Sequence, residues 1–150
     1  MNDNFLLPDS TFEIVIDSVP LISIDFLVKK NNKVLLGRRI NKPAQNFFFS
    51  IGSRVHKNES IQQSMIRLAQ LELNIKLKLQ PKFIGVFEHF YDEGFYEGVS
   101  THYINLAYEL DIYDNLNLPN DQHSEYKWFG VEELLDSSQV HKYVKDYFRD

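Results

Sequence analysis

Two runs of β-type sequence stand on either side of one well-marked helix, and this alternation restricts the chain to folds in which helices cover a sheet. The helix spans 60–73. Ser60-x-x-Gln63 has the spacing of a capping box, and Asn74 suits a left-handed cap at the far end. Before it, Ser10-x-x-Glu13 has the same spacing ahead of Phe12, Val15, Ile16 and Val19, and Pro20 stops that run. Residues 21–28 are apolar enough for a buried strand, Asn31-Asn32 makes a turn, and 34–36 return as its hairpin partner. Residues 47–51 read as a short aromatic strand ending at Gly52. Beyond the helix come strands over 83–90, 102–112 and 126–129, then helical pieces over 131–135 and 140–148. The order α-β-β-β-α-β-β-β-α-α predicts an α/β fold, a mixed β-sheet between helices.

Length and composition set the class. The 150 residues fit one domain, 1–150, large enough to bury roughly 68–70% of its unfolded surface without disulfide or structural metal. There is no cysteine, which excludes thiol catalysis and thiolate metal sites. Sixteen basic against 21 acidic residues give a formal charge of −5, against a nucleic-acid partner. A phosphate group bound here must be gripped by a few placed cations. No stretch approaches a membrane span and the N-terminus lacks a secretory pattern, so the expectation is a cytoplasmic protein with no membrane partner.

The helix at 60–73 also carries the first chemical signal. At about 100° per residue, Glu72 falls within roughly 20° of Ile61, between Met65 and Leu68 on the apolar stripe. A carboxylate there must be paired, protonated or bound to a cation, because an unpaired buried charge costs several kcal/mol. That cation is either a core-facing arginine or a metal.

Residues 53–75, SRVHKNESIQQSMIRLAQLELNI, resemble a degenerate Nudix box. Glu59, Arg67, Glu72 and Ile75 match its pattern; Ser53, Leu68, Leu71 and Asn74 depart. Leu68 and Leu71 replace carboxylates that ordinary members gather around metals for attack at phosphorus. One branch, the GDP-mannose mannosyl hydrolases, shares this loss and resembles the chain over about 12–148. The similar stretches include PLISIDF from Pro20, LLGRR from Leu35, NKPAQ from Asn41, EHFYD from Glu88, THY from Thr101 and PNDQH from Pro119.

The resemblance implies a Nudix-like α/β/α sandwich that hydrolyses GDP-mannose or a related GDP-sugar, with water attacking the anomeric carbon and inverting it. It implies one Mg²⁺ held by the Gly52 carbonyl, Glu72 and Gln122, with His123 as general base. Arg39 and Arg54 would neutralise the diphosphate. Asp25 would meet sugar hydroxyls or support the transition state, and His89 and Tyr103 would line the substrate site. A homodimer is expected by the same resemblance. Arg67 is expected to orient helix carboxylates, and Arg54 has Glu59 as an alternative partner. His56 and His141 read as surface residues. Phosphoanhydride cleavage to GMP and a sugar phosphate, or nucleotide-sugar binding without turnover, are the alternatives.

Overall fold

A computed structural model describes residues 7–121 and 123–149. The first helix, α1 (Asp9–Ser18), begins one residue before the expected cap. Pro8 occupies the N-cap and no side chain caps the end, so the Ser10/Glu13 box is not used; Asp9 supplies the acidic residue of the first turn instead. Strands β1 (Leu21–Lys30) and β2 (Lys33–Arg39) form the expected hairpin. Asn31 and Asn32 both take positive φ, 52° and 63°, as a tight two-residue turn demands.

The aromatic strand expected to end at Gly52 is in fact two strands, β3 (Phe48–Phe49) and β4 (Ile51–Arg54). They pair with different neighbours. β3 joins β2, with Gly37 opposite Phe49, whereas β4 joins β1, with Asp25 opposite Gly52. Ser50 is the point where the chain changes partner. Because β2 pairs with β1 only at its start and then runs beside β7 (His123–Gly130), the sheet divides into a wedge between β1/β4 and β2.

After β4, α2 (Ile61–Leu73) is capped as the sequence indicates. Ser60 Oγ accepts from Gln63 N at 3.0 Å, and Gln63 Oε1 accepts from Ser60 N at 2.8 Å. Asn74 is left-handed at φ 55°. Strands β5 (Lys82–Tyr91) and β6 (Thr101–Asp111) are antiparallel, and β6 lies parallel to β1 from Leu21/Tyr103 to Lys29/Asp111. The seven-stranded sheet is therefore mixed. Two short helices, α3 (Val131–Asp136) and α4 (Lys142–Asp146), complete the chain.

Alternation along β1 assigns the two layers. Ile24, Phe26 and Val28 pack with Met65, Leu68, Ala69 and Leu73 of α2. Leu27 turns the other way to Ala107 and Tyr147, next to a cluster of Phe48, Phe129, Leu134, Val140 and Val144 beneath α3 and α4. No helix among the described residues is long and apolar enough to cross a membrane.

Candidate active site

The wedge opens into a cavity of about 570 Å³. Asp25 of β1, Arg39 at the end of β2, Gly52 and Arg54 of β4, Glu72 of α2, His89 of β5 and Tyr103 of β6 all line it. Residues as far apart in the sequence as Asp25 and Tyr103 thus share one wall, with Arg67 adding a third guanidinium.

Glu72 is 7% exposed, and burial, reinforced by the charge of Asp121, pushes its carboxyl up to about 7. No hydrogen bond or ion pair among the described residues holds it. The helix arginine that was a candidate partner is committed elsewhere: Arg67 Nε donates to Glu59 Oε2 at 2.7 Å, and its Nη2 reaches Glu59 Oε1 at 3.0 Å and the Arg54 carbonyl at 2.7 Å. Ser64 Oγ adds a bond to Glu59, and this set of donors holds the Glu59 carboxyl down at about 2. A buried carboxyl with no hydrogen bond or ion pair among the described residues, close to a second acid, either keeps its proton or binds a cation. Among the described residues no three His, Asp or Glu side chains cluster for a metal. Gln122 lies outside the described residues.

Gly52 sits within β4, not at the end of a strand as expected. Glycine is required by a close approach: a Cβ there would stand 2.1 Å from Asp25 Oδ1 and 2.7 Å from the Ile24 carbonyl. Asp25 is buried, and its Oδ2 accepts hydrogen bonds from Ser50 Oγ at 3.1 Å and from the Tyr147 hydroxyl. Burial nevertheless raises it to about 6, against those bonds and the Arg39 charge.

Arg39 Nε donates to the Pro43 carbonyl at 2.8 Å, which anchors the guanidinium at the cavity edge. Arg54 does not pair with Glu59; its Cζ lies 4.2 Å from the ring centroid of Phe12, so α1 supports it from outside. Tyr103 is pushed up to about 12 by burial and stays a neutral hydroxyl. His89 is almost fully buried and held down at about 3 by loss of solvent. Its ring stacks on Tyr143 at 4.3 Å, with Asn105 on Nδ1 and Tyr147 Oη 3.4 Å from Nε2.

His123 is not on the cavity wall. Its ring packs over Gly37, where a Cβ would come within 2.6 Å, and Nδ1 lies 3.3 Å from the Tyr126 hydroxyl. Strand pairing sets it opposite Arg39, whose charge adds to burial in lowering the imidazole to about 4. Two histidines expected at the surface are half-buried. His56 lines the cavity. His141 packs against Phe47, Phe49, Tyr91 and Tyr143 and caps α4, accepting from Tyr143 N at 3.2 Å. Tyr147, Ser50 and Asn105 carried no sequence signal, because each meets the site only across the tertiary fold.

The NUDIX domain model matches residues 21–148. The chain is 38% identical over 143 residues to the low-salt glycan biosynthesis protein Agl8 of Haloferax volcanii, covering 94% of this chain and 88% of that protein. It is 26% identical to an ADP-ribose pyrophosphatase of Methanocaldococcus jannaschii, covering 87% and 74%. Among solved structures, a MutT NUDIX hydrolase from Burkholderia pseudomallei superposes with TM-score 0.73 at 17% identity, over 87% of this chain and 96% of that one.

Proposed function

Because this chain belongs to the Nudix hydrolase family, we propose that it hydrolyses a GDP-sugar, GDP-mannose foremost, to GDP and the free sugar. The observation that carries the reading is the composition of one helix face at the cavity. Leu71 lines the cavity beside Glu72, while Leu68 is buried in the core. A site for attack at phosphorus collects carboxylates there. This one offers a single helix carboxylate, three arginines and, across the cavity, Asp25.

In the proposed step, water forms a bond to the anomeric carbon from the face opposite the nucleotide. The bond from that carbon to the β-phosphate oxygen breaks, its electron pair leaves with GDP, and the water proton passes to a base. Arg39 and Arg54 bind the diphosphate and oppose its growing charge. Asp25 holds sugar hydroxyls. The Gly52 carbonyl, Glu72 and Gln122 would hold one Mg²⁺, which supplies further neutralisation of the leaving diphosphate when bound. His123 is assigned as base by the resemblance alone: its ring lies off the cavity wall, and its burial, which keeps the imidazole neutral, also weakens it as a proton acceptor. The likeness to a glycan biosynthesis protein supports a nucleotide-sugar substrate, since such donors feed glycan assembly.

A second reading is favoured by the likeness to an ADP-ribose pyrophosphatase: cleavage within the diphosphate. Incubation with Mg²⁺ and a panel of GDP-sugars, UDP-sugars and ADP-ribose, followed by product identification, separates the two. GDP with free mannose supports the first; a nucleoside monophosphate with a sugar phosphate supports the second. No turnover of any of them would favour a binding protein.

We also propose that the chain is a homodimer. Support comes from edge strand β5, where Phe83, Val86 and Phe90 are each more than half exposed.

A further inference from the structure

A line of buried polar groups, His89 and Asn105 on the cavity wall and Tyr147 behind it, is used by no step of the proposed hydrolysis. It runs from β6 through β5 to the end of the chain and finishes on Asp25. Asn105 is 3% exposed, His89 1% and Tyr147 7%, so bulk water satisfies none of them. Their partners are one another. Asn105 Nδ2 lies against His89 Nδ1, and His89 Nε2 is 3.4 Å from the Tyr147 hydroxyl oxygen; with the amide nitrogen as donor, the ring proton falls on Nε2. The Tyr147 hydroxyl in turn donates to Asp25 Oδ2.

The two oxygens of Asp25 are treated differently. Oδ2 receives both protein donors, Tyr147 and Ser50. Oδ1 receives neither and faces Gly52, the position at which any side chain would collide with it. We propose that Tyr147 is a positioning residue: with His89 and Asn105 behind it, it fixes one carboxylate oxygen of Asp25 and leaves the other directed to the substrate. This rests on the reading of Asp25 as the sugar-contacting acid.

The surroundings favour a directional role over simple filling of space. The Tyr147 ring meets Phe87 edge-on, with centroids 4.7 Å apart and planes at 88°, so the ring is held without its hydroxyl. His89 is held by its parallel stack on Tyr143. With that tautomer every donor in the line points toward Asp25, and a carboxylate gripped at one oxygen loses the rotation that would otherwise let it turn from the sugar. The C-cap residue of α4 thereby becomes part of the active site, although Tyr147 does not reach the cavity.

The test is a cycle of Tyr147→Phe, Asp25→Asn and the double variant, assayed on GDP-mannose with Mg²⁺, together with ¹⁵N spectra of the His89 ring in the wild type. Tyr147→Phe should lower kcat by about 10- to 100-fold, the cost of a misplaced group, with unchanged cooperative melting. In the Asp25→Asn background it should cost little more, because its effect passes through Asp25. The ring should show protonated Nε2 and unprotonated Nδ1. Wild-type kcat in Tyr147→Phe, or full additivity in the double variant, would overturn the proposal. So would a proton on Nδ1, which needs no variant to fold. If the wild type turns over no GDP-sugar, the functional reading fails separately, and the ring signature still decides whether the line of donors exists.

Discussion

Glu72→Gln separates a metal ligand from a structural acid without changing side-chain volume. The wild-type carboxyl is buried with no protein hydrogen bond or ion pair among the described residues, so without metal the variant should melt at or above the wild-type temperature. Added Mg²⁺ should then stabilise the wild type, by about 2.7 kcal/mol at 100 times its Kd, and leave Glu72→Gln nearly unmoved. Thermal melts with and without Mg²⁺ measure this directly, and equal Mg²⁺ shifts would assign Glu72 to structure. At Gly52 the expected effect is steric. Gly52→Ala sets a methyl 2.1 Å from Asp25 Oδ1, which should cost on the order of 1–3 kcal/mol in chemical unfolding and displace the carboxylate from the cavity. Periodicity made Glu72 legible, since a charge on an apolar stripe is a local signal. The reason for glycine at 52 was not legible, because the atom it makes room for lies 27 residues away on another strand.

Among the elements, α2 was readable to its caps, since a capping box and a left-handed Asn are local chemistry. The division into β3 and β4 was not, because it depends on which neighbour each half pairs with. What ties the loop after β4 to α2 is the Glu59 clip with Arg67, Ser64 and the His56 amide, and Arg67 also reaches the Arg54 carbonyl of β4. Its acid dependence has a definite sign. Glu59 has a folded pKa near 2, below its ordinary 4.5, so its stabilisation is complete above about 4.5 and is lost as pH falls toward about 2. Wild type should therefore exceed Glu59→Gln in stability at neutral pH, and the gap should narrow across that window. Denaturant midpoints of both proteins at a series of pH values check this; a gap independent of pH would mean that the carboxylate charge is not what the clip uses.

For the whole molecule, the resemblance gathered residues that the fold then placed around one cavity: Asp25, Arg39, Gly52, Arg54, Glu72, His89 and Tyr103. His123 stands behind that wall against Gly37, and the inner support from Tyr147 emerges only when α4 closes over the sheet. Separated motifs report which side chains belong together; they do not report which oxygen of an acid is held or which ring is turned inward. If β5 carries the dimer contact, Val86→Glu with Phe90→Glu should shift sedimentation equilibrium from dimer to monomer without loss of helix or sheet. An unchanged mass would place the contact elsewhere or leave the chain a monomer. The central claim, attack at carbon on a Nudix scaffold, is tested most directly by turnover of GDP-mannose in ¹⁸O-water with mass analysis of both products. The label is expected on the anomeric hydroxyl of free mannose, with unlabelled GDP; label on a phosphate product would contradict it.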